Sequence, residues 1–248
     1  CDIIGFIQMG PDKQKYSEKK KKAWKIFDRI YKRYDLLNHV LSFGIDFRWR
    51  KKLSKLLKKQ EGQYLLDLAA GTGDVIFSLL KHSPYIRRAV GLDMSFNMLG
   101  YGREKSKKNG HKNRADFIQG DANRIPAKNG KFDVATMAFG IRNVPDPEVA
   151  LRDIGRVLKK GGTLLILEFS LPENKILKRL HLFYLRYFVP LMGKIISGDV
   201  EAYRYLNKTI EDFPYGEAFL KLMENSGFKD CEGFPLTFGA VTIYRGYR

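Results

Sequence analysis

The chain has 248 residues, is 44% hydrophobic and 29% charged, and carries a net charge of +18. That balance excludes wholesale disorder, and the length is enough to bury a core. Apolar runs fall short of the about 18 residues a membrane-spanning helix needs. Cys1 and Cys231 are too few for a disulfide framework and lack zinc-site spacing. Together with the lack of a basic-then-apolar leader, this leads us to expect a cytoplasmic protein without a metal centre. The charge is uneven: residues 1–60 hold 17 Lys+Arg against 6 Asp+Glu, whereas residues 171–248 hold 11 against 9. A basic N-terminal quarter suits a polyanion, either nucleic acid or an anionic lipid surface, or serves solubility alone.

Residues 1–22, with Lys19–Lys22, read as peripheral. Trp24, Phe27, Ile30, Tyr31 and Tyr34 recur at three and four, which predicts a helix over Ala23–Tyr34; a second runs over Trp49–Lys59, with an irregular loop between them. From residue 64 short apolar runs alternate with helical ones. Strands are expected at Tyr64–Leu68, Ala89–Leu92, Asp116–Gln119, Phe132–Ala138 and Thr163–Leu167. Helices are expected at Val75–Lys81, Ser95–Lys108 and Pro147–Leu158. This is the signature of a doubly wound α/β fold with a mostly parallel sheet. A Leu-, Phe- and Tyr-rich helical insertion follows at about 174–212. A helix at Glu217–Asn225 and an antiparallel hairpin (Gly227–Phe234, Ala240–Tyr247) end the chain, bringing the sheet to seven strands. Residues 1–60 form a helical cap and 61–248 the main domain.

The most informative segment is Asp67-Leu68-Ala69-Ala70-Gly71-Thr72-Gly73-Asp74, between a strand and a helix. Glycines there let a ligand approach the backbone at unpaired helix N–H groups. Asp93 ends the next strand, 22 residues past Gly71, where a carboxylate meets a ribose diol. The dinucleotide fingerprint G-x-G-x-x-G fails, because Ala69 and Asp74 replace its outer glycines. Asp67 just ahead of the loop repels pyrophosphate and suits an ammonium group. S-adenosylmethionine has adenosine, an amino-acid end and a sulfonium, and no phosphate. The loop resembles the first motif of the class I S-adenosylmethionine-dependent methyltransferases. That resemblance implies a cofactor set of Asp67, Gly71, Thr72, Gly73, Asp93 and Met94, with Asp121 and Ala122 near the adenine.

Longer stretches are similar to one family. Tyr34–Gly44 followed by Trp49-Arg50 resembles the N-terminal signature of the menaquinone/ubiquinone biosynthesis C-methyltransferases, and Arg156–Ser170 their second signature. Phe139–Val144, Tyr203–Leu206 and Phe213-Pro214 are also similar. The resemblance departs at Asp46-Phe47, where the family has His-Arg, and at Ala138, where a serine is common. It implies methylation of a ring carbon on a prenylated quinol precursor, with menaquinone and ubiquinone precursors both open. Methylating an aromatic carbon requires stabilised phenolate charge and a base. Arg142 is the expected phenolate donor, Asn143 the orienting group, and His39 a base acting through water, with Asp46 a weaker candidate. Leu180, Phe183, Tyr184, Tyr187, Phe188, Leu191 and Met192 form one helical face, read either as a prenyl groove or as a core or homodimer surface; His181 reads as structural. A nucleic-acid methyltransferase is disfavoured, because Phe139-Gly140-Ile141-Arg142 does not match the loop used on base amino groups and neither cysteine is placed for ring-carbon attack. Peripheral contact with the inner face of a membrane is expected from the basic N-terminus and a lipid-tailed substrate.

Overall fold

A computed structural model describes residues 23–197 and 200–248. The lysine run 19–22, and with it part of the basic N-terminal quarter, lies outside them. The elements in chain order are α1 (Ala23–Leu41), α2 (Asp46–Lys55), β1 (Gln63–Leu68), α3 (Asp74–His82), β2 (Ile86–Asp93), α4 (Phe96–Lys108), β3 (Ala115–Gln119), β4 (Phe132–Ala138), α5 (Pro147–Val157), β5 (Leu158–Phe169), α6 (Lys175–Phe183), α7 (Val189–Ser197), α8 (Val200–Asp212), α9 (Glu217–Asn225), β6 (Lys229–Leu236) and β7 (Val241–Tyr247). A π-helical turn, Tyr184–Phe188, joins α6 to α7.

The strand order is β3-β2-β1-β4-β5-β7-β6. The first five strands are parallel; β7 runs antiparallel between β5 and β6. Strand alternation sends Leu66, Leu68, Leu164 and Ile166 into one core layer with α5 and α9. Leu65, Leu165 and Leu167 enter the opposite layer with α2, α3 and α4. A third cluster, built on Leu37, Leu171, Leu185, Val189 and Ile210, ties α1 to the insertion helices. Helix starts follow local chemistry: Ser95 accepts from Met98 N at 3.2 Å, and Asp146, just ahead of Pro147, accepts from Val149 N at 3.1 Å.

One expectation fails. Asp35–Arg48 is not an irregular loop, because α1 continues to Leu41 and α2 begins at Asp46, leaving a four-residue turn. The polar residues that suggested a loop are satisfied from outside the helix. Asp35 accepts from Thr72 Oγ1 at 2.6 Å and from Lys105 Nζ at 2.8 Å, and Leu37 is buried.

Sheet and helices meet closely around Phe117 of β3. A Cβ on Gly73, Gly91 or Gly102 would lie 2.7, 3.0 or 2.8 Å from its ring. Ala in place of Gly102, inside α4, gains about 1 kcal/mol in helix propensity but overpacks a ring that Gly73 and Gly91 prevent from retreating. Overpacking costs about 1–3 kcal/mol, so Gly102→Ala should lower the urea-unfolding free energy. Phe117→Leu in the same chain should restore part of it, as a double-mutant cycle by urea denaturation would show.

Candidate active site

The sheet reverses its winding between β1 and β4, and the crevice at their carboxyl ends is where open α/β sheets take ligands. Both strands end in the same unusual way: Ala69 after β1 has φ +49° and Phe139 after β4 has φ +55°. Left-handed backbone at non-glycine residues costs about 1–3 kcal/mol each and persists only when neighbours enforce it. The two turns touch, since a Cβ on Gly140 would fall 2.6 Å from the Ala69 Cβ.

On one side of this pair lies a cavity of about 190 Å³. Gly71, Asp93, Met94, Gly120, Asp121 and Ala122 line it from the sheet side, and Trp24, Phe27 and Tyr34 of α1 from the other. Asp93 Oδ2 accepts from Gly71 N and Oδ1 from Ser95 N, both at 2.8 Å. Burial pushes the Asp93 carboxyl up, against lowering by the amides of Ser95, Gly71 and Met94. Two carboxylates and, among the described residues, no Lys or Arg line this space. A pyrophosphate would be repelled there, whereas a cationic nucleoside fits. S-adenosylmethionine, a cationic nucleoside, therefore suits a cavity that Asp93, Asp121 and Ala122 line.

Three residues expected at the cofactor do not line this cavity. Asp67 does not line the cavity: it is 1% exposed, accepts from Thr136 Oγ1 at 2.6 Å, and its Oδ2 has no partner. Burial drives its carboxyl up to about 7, with nearby Asp93 adding to the effect. Thr72 is turned away to Asp35, and Gly73 packs on Phe117. These residues shape the loop from behind.

On the other side lies a larger, mostly apolar cavity of about 250 Å³ between α1, α2, the β4 end and the insertion helices. Phe27, Tyr34, Phe139 and Asn143 line both cavities, so the two meet there. Asn143 Oδ1 is buried without a partner at that junction. Burial pushes the Tyr34 phenol up, against lowering by its hydrogen bond with Asn38 and the charges of Arg142 and Arg50, so it stays protonated at neutral pH. In the sequence Tyr34 belongs both to an amphipathic stripe and to the N-terminal signature, with no role marked for its hydroxyl.

Arg142 borders this cavity but not as a free cation. It is 3% exposed, and its Nη1 donates to Glu168 Oε1 at 2.6 Å and to Phe139 O at 2.7 Å. Its guanidinium lies 5.2 Å from the Phe169 ring centroid. Glu168 is fully buried; burial pushes its carboxyl up, and Arg142 and the Phe169 amide pull it back. Arg142, expected as the phenolate donor, thus shares its charge with a partner from the next strand, while its Nε is buried without a partner.

His39 is also corrected. It does not line the larger cavity, since its Nδ1 is bonded to Asp46 Oδ2 at 2.7 Å and its ring stacks on Phe47 at 4.3 Å. Asp46, at the position where the family resemblance breaks, does line it. Burial would raise the Asp46 carboxyl, but Arg50 and the bonds from Ser42, Arg50 and His39 hold it low. His181 is the group that composition undervalued: it lines the larger cavity, its Nε2 is buried without a partner, and burial holds its imidazole below 6.5. The expected prenyl face splits, with Tyr184 lining the cavity and Leu180, Phe183, Tyr187 and Leu191 facing outward.

A seven-stranded sheet of this order, with a carboxylate-lined cavity at its switch point, is the architecture of the class I S-adenosylmethionine-dependent methyltransferases. A solved S-adenosylmethionine-dependent methyltransferase from Aquifex aeolicus shares this fold, with TM-score 0.59 at 19% identity over 80% of this chain and 88% of that one. Residues 14–248 match the ubiE/COQ5 methyltransferase family, and the chain belongs to it. It is 39% identical to the demethylmenaquinone methyltransferase of Bacteroides fragilis, over 92% of each chain. It is 44% identical to the ubiquinone/menaquinone biosynthesis C-methyltransferase UbiE of Syntrophotalea carbinolica, over 90% of this chain and 92% of that one.

Two stability tests follow from the buried charges. Folding favours protonated Asp67, so its contribution is complete below the ordinary carboxylate range and is lost as pH rises through about 7. Urea melts should show wild-type stability falling between about pH 4 and 7, and Asp67→Asn flattening that fall by up to a few kcal/mol. Arg142→Met strands Glu168 and should cost about 3–5 kcal/mol. Adding Glu168→Gln should recover much of it by thermal denaturation.

Proposed function

We propose that this enzyme methylates a ring carbon of a prenylated quinol precursor. The observation that carries the reading is the junction of the two cavities at Phe27, Tyr34, Phe139 and Asn143. It joins a cleft for a cationic nucleoside to a larger cavity with an apolar lining, and the related quinone-biosynthesis enzymes support the choice of acceptor. When bound, S-adenosylmethionine supplies an electrophilic methyl. The chain's own residues must bring a ring carbon to within about 3–3.5 Å of that methyl, in line with it.

The roles divide as follows. Tyr34, a protonated phenol at the junction, donates to the quinol oxygen as negative charge develops there. Asn143 Oδ1, lacking an internal partner, orients a second polar group. His181 is neutral and its Nε2 unpartnered, so it accepts the quinol hydroxyl proton; Asp46, held low by three donors, is the poorer base. Loss of that proton would load charge onto the ring carbon that takes the methyl, and that carbon would then release its own proton to restore aromaticity. Arg142 positions: it fixes the Phe139 carbonyl and with it the wall between the cavities.

Mass spectrometry after incubation with S-adenosylmethionine and either demethylmenaquinol or the ubiquinol precursor should find one added methyl on the ring. Addition to neither, with a methyl on an oxygen or an amine of another acceptor, would refute the reading. Tyr34→Phe should lower kcat by about 10²-fold, the loss of one oxyanion donor, and leave cofactor affinity unchanged by calorimetry. In the wild type the acid limb of the kcat profile should lie below 6.5, the ordinary imidazole value. His181→Asn should abolish that limb.

A further inference from the structure

We propose that the outward face of α6 and α7, with the turn-tip rings of Phe43 and Phe238, seats the enzyme on an anionic lipid bilayer with the larger cavity opening toward it. This rests on the reading of a prenylated acceptor. Ile176, Leu180, Phe183, Tyr187, Leu191 and Ile195 recur every three or four residues, and each is more than half exposed. The π-turn at Tyr184–Phe188 is wider than an α-turn and absorbs the accumulated phase, which keeps Phe183, Tyr187 and Leu191 on one line. Burying any one of these side chains is worth about 1.5–3 kcal/mol, so a continuous exposed row is a contact surface.

Charge identifies the occupant. Residues 174–198 contain five Lys or Arg and no Asp or Glu. Lys175, Arg179 and Lys194 are exposed, and none of the ion pairs among the described residues includes them. A two-fold contact with a second copy would press these like charges together, whereas an anionic surface neutralises them. A cationic helix with a large apolar face is the form that lies in a lipid interface.

Two exposed rings stand beside residues that line the larger cavity. Phe43 lines the larger cavity yet is 72% exposed, and its ring sits 6.1 Å from that of Phe188. Phe238, 84% exposed, follows Thr237, another lining residue. Both phenylalanines adopt left-handed backbone, φ +51° and +56°, which is unusual for a bulky side chain. The chain tolerates strain to hold two aromatic rings outward, one in the cavity lining and one next to it.

Co-sedimentation with phosphatidylcholine vesicles, with and without about a third phosphatidylglycerol, tests this on the full chain. Wild type should bind the anionic vesicles, and more weakly as salt rises. Phe183→Ser/Tyr187→Ser/Leu191→Ser should weaken binding about tenfold or more while keeping its melting temperature and its rate on a short-tailed quinol without vesicles. Lys175→Gln/Arg179→Gln/Lys194→Gln should lose binding to the anionic vesicles only. No vesicle binding by wild type, or unchanged binding by the apolar triple variant, would overturn the proposal. So would light scattering that shows the triple variant converting a dimer to monomers while still binding vesicles. Failure of wild type on the short-tailed quinol would count against the quinol reading and leave the vesicle result to stand separately.

Discussion

The site depends on a buried ion pair between two adjacent strand ends. Arg142 follows β4 and Glu168 lies at the end of β5; both are almost wholly removed from water. Burying two charges is costly, and their attraction offsets it only when further hydrogen bonds complete the geometry. Here the Phe139 carbonyl takes a second guanidinium bond, the Phe169 amide donates to Glu168 at 2.9 Å, and the Phe169 ring covers the cation. The result is a left-handed Phe139 held from several directions. That residue is the wall between the two cavities, with its ring against Phe169 at 4.6 Å and Trp49 at 6.0 Å.

The same logic explains how a chain of net charge +18 keeps a cleft for a cationic ligand. The cations nearest the crevice are turned into pairs. Lys105 bridges Asp35 and Asp74, and Arg50 is paired with Asp46 and, at 3.5 Å, with Asp74. These pairs also fasten α1 and α2 to the glycine loop and α3, while Asp28 of α1 accepts from Ser95 Oγ at 2.5 Å and from Asn97. The N-terminal helices thereby become one wall of the cofactor cleft, and Asp93 and Asp121 face it without a competing basic side chain.

Much of this was legible in the sequence because it is local or periodic. Apolar alternation gave the order of strands and helices, and the failed dinucleotide fingerprint with Asp93 pointed to the nucleoside. What was not legible depends on partners far along the chain. Asp35 reads as a loop residue until Thr72 and Lys105 satisfy it inside a helix. Gly73 reads as a place for a ligand, whereas the Phe117 ring occupies the space its side chain would need. Arg142 reads as a free cation because Glu168 lies 26 residues away. A helical stripe from Leu180 to Met192 says that one face is apolar; only packing shows that Phe183 and Tyr187 face out while Tyr184 faces in.

The central claim is that the crevice between β1 and β4 takes the nucleoside against α1. Met94, Met98 and Met137 line that cavity, whereas Met223 lies in the core beneath α9. Methyl NMR on methionine-labelled protein reads this placement directly. S-adenosylhomocysteine should shift Met94, Met98 and Met137, leave Met223 in place, and NAD should shift none of them. Shifts confined to Met192 or Met223, or equal shifts with NAD, would contradict the account.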